Sequence, residues 1–371
     1  MQGAQQSAPA PVLTQAQELV DDGRRFRYLQ PPEFLARTDR FCSQEATVVS
    51  RESLAALLNN TLADARFPRW EKQYRQGKVR DMYLLPGRRV LVTCDRQSAF
   101  DHVLGTIPLK GQVLNRIANY WFEQTADIVA NHIIDVPHPN VTIAEELEMF
   151  PVEIVVRGYL TGSSDTSAWT YYARGERDIC GNILPEGMVK NQPFETAILT
   201  PTTKSAEHDE PISATQVLEQ GLVDEETWTE IERIAFALFA RGQQIAAKQG
   251  LILVDTKYEM GRNAAGEIAV ADEIHTPDSS RYWIAETYQA RHDRAEEPES
   301  LDKEFLRLWL REKGISDTNV PDLDDEIRLD VAERYIDLFE RITGQSFEQS
   351  KADEPLRDAI ERSIEPCFEG V

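Results

Sequence analysis

The sequence predicts a mixed α/β fold, because helical and strand periods occupy separate, well-bounded runs. In 251–261, Leu251, Leu253, Asp255, Lys257 and Glu259 recur every second residue, the period of a strand. Just before it, Trp228, Ile231, Ile234, Leu238 and Ile245 recur at helical spacing. Asp224 stands in the N-cap position of that run and Gly250 at its end. Nearer the start, Val79–Leu85 and Val90–Thr93 flank Pro86-Gly87, a turn dipeptide that joins two strands into a hairpin.

The remaining elements follow in chain order. Residues 1 to about 50 are rich in Gln, Ala and Pro and lack periodicity, as a loosely packed extension would. Ser53 is placed to cap a short helix bearing Leu54, Leu57, Leu58 and Leu62. Val113–Val129 has helical spacing, Val152–Val156 is a short apolar strand, and Ser167–Arg174 reads as helix. The stretch 178–213 is loop-rich, with Pro185, Pro193, Pro201 and Pro211; a loop of that length is usually functional. Gly261 and Gly266 bracket a short loop after the strand, and Ile268, Val270 and Asp272 return as its partner. A turn near Asn263 and Ala264 would set Asp255 opposite Asp272, with Glu259 close by. Like charges facing each other require a cation, and hard oxygen ligands suit Mg²⁺ held together with phosphates; the alternative is a solvated charged face. Two more helices are expected at Asp302–Glu312 and Ile327–Ile342, and the last two dozen residues read as charged and peripheral.

Composition narrows the class of protein. The 371 residues, 41% hydrophobic and 28% charged, suffice for a sizeable core. With 40 Lys and Arg against 63 Asp and Glu, the formal net charge of −23 disfavours nucleic acid and anionic membrane as partners. An anionic substrate would need a locally basic pocket. Cys42, Cys94, Cys180 and Cys367 are too scattered for a zinc site or a disulfide framework, as expected of a cytosolic protein. No apolar run reaches membrane-spanning length, and the N-terminus lacks a secretory pattern.

Several segments carry chemistry. Gly77-Lys78-Val79-Arg80-Asp81 at a strand–strand turn fits neither a P-loop nor a dinucleotide fingerprint, yet a glycine flanked by cations can lie over nucleotide phosphates. The same residues also make an ordinary basic turn. In 151–164 an apolar strand delivers Arg157 into a loop with Gly158, Gly162 and the hydroxyls of Thr161, Ser163 and Ser164, a cradle for a phosphate monoester or an arginine paired with an acid. Lys204, His208, Asp209 and Glu210 sit in the long loop; Asp209 could join a metal or receive an amine, and His208 equally makes loop hydrogen bonds. Ser98 and Asp101 cluster at a strand end, and Asp278-Ser279-Ser280-Arg281 resembles a second phosphate cradle.

Together these segments resemble the SAICAR synthetase family, over roughly residues 67–347 in the expected order. The 151–163 and 254–261 stretches are the most specific; the Gly77 loop is not. The resemblance implies an N-terminal antiparallel β-sheet domain over a larger α/β domain, with ATP in the cleft between them. The expected division is 1–66 extension, 67–150 β-rich nucleotide-binding part, 151–285 substrate and metal part, 286–347 helical part and 348–371 tail. It implies ligation of L-aspartate to carboxyaminoimidazole ribotide with ATP and Mg²⁺. Carried over by position, Lys78 and Arg80 would contact ATP phosphates within the loop that includes Gly77 and Val79, and the 149–153 segment with Glu153 would hold the adenine. Glu259 and Asp272 would bind Mg²⁺, with Lys257 near the nucleotide. Arg157, Ser163 and Arg281 would hold the ribotide phosphate, with Ser98, Asp101, Gly162, His208 and Ser280 also binding substrate. Lys204 and Asp209, counted with Lys257 as catalytic, would lie on the substrate side, where a second Mg²⁺ or aspartate sits. The expected partners are these small molecules, acting on a cytoplasmic monomer or small homo-oligomer. A small-molecule kinase would share the ATP and Mg²⁺ groups but need only two ligand sites, and a noncatalytic binding protein would be expected to lose the metal acids or Lys257.

Overall fold

Two antiparallel sheets organise the computed structural model, which describes residues 47–99, 102–164, 166–204, 210–301, 306, 310, 323–349 and 354–369. All of these lie in one unit spanning Gln44–Val371. The first sheet has five strands in the spatial order Tyr74–Gln76, Arg80–Leu85, Arg88–Thr93, Val141–Glu145, Ile133–His138. The expected hairpin is there: Arg80–Leu85 pairs with Arg88–Thr93, and Gly87 takes the positive φ (71°) that closes the turn. Alternation drives Tyr83, Val90, Val92 and Val141 to one face, where they bury themselves against Phe67 and Trp70.

That core is completed from the far end of the chain. The helix Leu356–Ile364 inserts Ile360 and Ile364, both fully buried, and the next turn stacks Phe368 on Trp70 with ring centroids 4.1 Å apart. Arg357 donates to the carbonyl of Asp64 at 2.7 Å, and Arg88 to that of Cys367 at 2.9 Å. The segment expected to be peripheral is therefore part of the first sheet's core. Its charges sit on one side of a single short helix, and its few apolar residues converge on the other.

The second sheet is larger. Its path runs Pro193–Leu199, Glu148–Tyr159, Leu251–Arg262, Ile268–Ala271, Ala130–Asn131; Thr202–Thr203 also pairs with Glu148–Tyr159, and Ser280–Ile284 with Leu251–Arg262. All contacts are antiparallel except that of Ala130–Asn131. Helix Glu225–Lys248, capped by Asp224 as the sequence predicts, buries Ile231, Ile234, Leu238 and Phe239 in the main core. Helices Lys110–Gln124 and Asp325–Thr343 bury Trp121, Leu338 and Phe339 in the same core. Each such side chain contributes roughly 1.5–3 kcal/mol by leaving water.

Boundaries shift where caps compete. The first described helix, Arg51–Leu57, is capped by Ser50 rather than Ser53, because Ser53 occupies the third helical position and closes a reciprocal capping box. The helix expected at 302–312 lies outside the described residues except for Leu306 and Leu310, both buried. Among the described helices none is long and apolar enough to cross a membrane.

Candidate active site

The strand Leu251–Arg262 is the spine of the site, and a bulge decides which way its charges point. Its register with Ser280–Ile284 slips by one residue between Leu253 and Asp255. Before the slip the odd residues Leu251 and Leu253 enter the main core; after it the even residues Tyr258 and Met260 do. One extra residue inverts the faces. Asp255, Lys257 and Glu259 therefore project away from the core instead of sharing the face of Leu251 and Leu253, as strict alternation would have it.

At one end of this face lies an acid-rich cluster. The hairpin register sets Glu259 opposite Ala271, so Asp272 follows directly beside it and does not face Asp255. The expectation of an Asp255–Asp272 pair fails because the turn occupies 263–267, closed by Asn263 and Gly266. Arg80, from the first sheet, reaches across with Nη1 2.6 Å from Asp272 and Nη2 2.9 Å from Glu273. Lys257 Nζ lies 2.7 Å from Glu153 and 3.6 Å from Glu259, while Lys204 pairs with the other oxygen of Glu259. Thr202 donates to Glu153 at 3.2 Å. Burial, then the neighbouring Asp272 charge, pushes the Glu259 carboxyl above its ordinary pKa. Burial also works on Asp272, but Arg80, Lys257 and His132 outweigh it and hold that carboxyl below its usual range. For Lys257 burial is outweighed by Glu153 and Glu259, so the ammonium is held on more tightly than usual.

The Gly77 loop is fixed beside Arg80. Gly77 N–H donates to the Arg80 carbonyl at 2.9 Å, and a Cβ there would press into that oxygen. Arg96 donates to the carbonyls of Gly77 at 2.9 Å and Lys78 at 3.2 Å, and pairs with buried Asp81 at 2.7 Å. The Cys94 N–H donates to the Val79 carbonyl at 3.0 Å. This leaves Lys78 exposed at the tip.

Four residues along the strand from Glu259, about 13 Å, the balance reverses. Arg157, Asp255 and Arg281 sit side by side on three neighbouring strands. One oxygen of Asp255 takes both guanidinium groups: Arg281 pairs with it closely and Arg157 lies 3.6 Å away. Arg157 also donates to the Thr200 hydroxyl at 2.7 Å. Burial, opposed by Asp255 and assisted by Arg281, lowers the Arg157 pKa. Gly162 has φ 106°, and a Cβ there would crowd Ser167 and stand 3.4 Å from Arg281 Nη2. Backbone thus approaches a guanidinium where only glycine fits, as an anion cradle requires.

The structure brings together Arg80, Glu153, Lys204, Lys257, Glu259 and Asp272 in one cluster and Arg157, Gly162 and Arg281 in the other. Ser280 stands at the cradle, but its hydroxyl donates to Thr256 at 2.8 Å. Ser163 follows Gly162 in the cradle loop, and Ser98 is buried on the strand Arg96–Ala99. Asp101, His208 and Asp209 lie outside the described residues. Residue reading missed Glu273 as a partner of Arg80, Thr200 as a support for Arg157, and Asp255 as the link between two arginines. The Asp272-Glu273 doublet was a signal for the first; the other two depend on strand register.

The SAICAR synthetase family pattern matches residues 73–321. A phosphoribosylaminoimidazole-succinocarboxamide synthase of Legionella pneumophila is 50% identical over 296 residues, 79% of this chain and 95% of its own. Among solved structures, SAICAR synthase from Saccharomyces cerevisiae complexed with SAICAR superposes with TM-score 0.66 at 31% identity, covering 74% of this chain and 95% of its own. A type-2 SAICAR synthetase in complex with ADP gives 0.57 at 26%, covering 74% and 100%. The chain belongs to the SAICAR synthetase family.

Proposed function

We infer that this protein joins L-aspartate to the carboxylate of carboxyaminoimidazole ribotide, consuming ATP and releasing SAICAR, ADP and phosphate in de novo purine biosynthesis. The observation that carries the reading is the opposite charge balance of two clusters along one strand face. Family membership supports reading those two anions as the ATP polyphosphate and the ribotide phosphate.

Arg80 and Lys78, on the rigid Gly77 loop, are assigned to the ATP phosphates, and the 149–153 segment to the adenine. Glu259 and Asp272 fit Mg²⁺: they are neighbouring hard-oxygen donors, the Asp272 charge adds to burial in opposing ionisation of Glu259, and two carboxylates completed by substrate phosphates suffice for this ion. When bound there, Mg²⁺ supplies neutralisation of the polyphosphate charge. Arg157 and Arg281, kept apart from mutual repulsion by Asp255, are assigned to the ribotide phosphate, with Gly162 and Ser163 as backbone and hydroxyl donors. Lys204 and Asp209 are assigned to the aspartate side, with Ser98, Asp101 and His208. The protein acts in the cytoplasm in this reading.

A carboxylate is a poor acyl donor. Its oxygen attacks the γ-phosphorus with ADP as leaving group, and the amine of aspartate then displaces phosphate from the acyl carbon. Lys257, held between Glu153 and Glu259, is placed to follow the transferring charge. Alignment and charge neutralisation carry most of the acceleration in such transfers.

Incubation with [γ-³²P]ATP, omitting each cosubstrate in turn, tests the reaction. Labelled phosphate should appear only when ribotide and aspartate are both present, in equal amount with SAICAR. Label retained on an acid-stable organic product without aspartate would make the protein a kinase instead.

A further inference from the structure

The segment Asp272–Arg281 serves both ends of the site. Asp272 and Glu273 pair with Arg80, and Arg281 pairs with Asp255. Between these residues the chain passes through left-handed backbone at Asp272 (φ 61°) and His275 (φ 51°), so its path is set by what grips it from within. His275 is fully buried, its Nε2 2.5 Å from the Tyr258 hydroxyl and its ring edge-on to Trp121 at 4.7 Å. The second grip is Asp278. Its carboxylate, 3% exposed, takes Lys110 Nζ at 3.2 Å through one oxygen and the Tyr335 hydroxyl at 2.9 Å through the other.

Lys110 is itself fully buried and lies 5.3 Å from the centroid of the Tyr335 ring. It opens the helix Lys110–Gln124, whereas Tyr335 stands midway along Asp325–Thr343. The Tyr335 hydroxyl is also within 3.4 Å of the Gln97 amide, one residue from Ser98. Two core helices therefore meet at a loop acid three residues before Arg281. A buried ion pair costs more in desolvation than apolar side chains of the same shape, so stability alone does not account for it. What it supplies is direction: two fixed donors orient one carboxylate, and the carboxylate fixes the loop.

We propose that Lys110 and Tyr335 are positioning residues that act through Asp278 to set where Arg281 presents its guanidinium to the ribotide phosphate. This rests on the assignment of Arg281 to that phosphate. Neither Lys110 nor Tyr335 belongs to the cradle itself.

Tyr335→Phe tests it most cleanly, since it removes one hydroxyl and keeps the ring against Lys110. The expected result is a ribotide KM raised about 3–10-fold, with kcat and the ATP KM within about twofold. In an Arg281→Ala background, Tyr335→Phe should add nothing further to the ribotide KM, because the group it positions is gone. An unchanged ribotide KM in Tyr335→Phe overturns the proposal, and so do effects that multiply in the double variant, as a merely structural role would give. If Arg281→Ala alone leaves the ribotide KM unchanged, the phosphate assignment has failed instead. Should Tyr335→Phe not fold, the isosteric Asp278→Asn is read in the same way.

Discussion

The two ends of the Leu251–Arg262 strand carry the same residue types in opposite proportion. At the Glu259 end four carboxylates (Glu153, Glu259, Asp272, Glu273) meet three cations (Arg80, Lys204, Lys257). At the Asp255 end two guanidinium groups share one carboxylate. On the proposed assignment, a polyphosphate at the first end meets cations already paired with carboxylates and would call for a divalent cation. A monophosphate entering the second finds a net positive charge already paired and oriented. One strand can thus hold two anions close together without binding them in the same way.

The largest effect is expected at the acid-rich end. Glu259→Gln and Asp272→Asn should each lower kcat by about a hundredfold or more at saturating Mg²⁺ while the circular dichroism spectrum stays native. A loss below about tenfold in both would remove them as metal ligands. Next come Arg157→Ala and Arg281→Ala, each expected to cost about ten- to hundredfold in kcat/KM for the ribotide and little in the ATP KM. A rise in the ATP KM with the ribotide KM unmoved would mean that the two ends have been exchanged.

Acid should act through the buried imidazoles. Burial pushes the imidazole pKa of His132 down to about 4 and that of His275 to about 3. A depressed folded pKa contributes stability that is present above the unfolded value, about 6.5, and lost as pH falls toward the folded value. Melting temperature should therefore decline between pH 6.5 and 4, with proton uptake on unfolding measurable by calorimetry; a flat profile from pH 7 to 5 would contradict the neutral buried imidazoles. The smallest effect tests the first sheet, which presents Arg80. Phe368→Ala removes the ring stacked on Trp70 and should cost about 2–3 kcal/mol in urea unfolding. No measurable loss would return the C-terminal segment to the periphery.

Much of this was legible in residues alone. Helix Glu225–Lys248 follows from its stripe and cap, and the Gly77, Arg157 and Asp272 segments, singled out by residue type and spacing, do come together in the two clusters. What sequence hid depends on register. The bulge between Leu253 and Asp255 shows in sequence only as a change of the odd positions from leucine to charged residues, which does not by itself say that an extra residue turns the charges out of the core. Pairing of Asp255 with Arg281 rather than Asp272 depends on how long the turn is and which strand lies on the other side. The C-terminal helix looked peripheral because only three or four apolar residues carry its docking, and their partners are some 290 residues away.

The difference between the two ends is tested most directly by calorimetric titration with and without Mg²⁺. ATP probes the acid-rich end; aminoimidazole ribotide, which keeps the phosphate but lacks the carboxylate, probes the cradle. Chelation should weaken ATP binding by about a hundredfold or more and shift ribotide binding by less than about threefold. Equal loss for both ligands, or ATP binding indifferent to Mg²⁺, would contradict it.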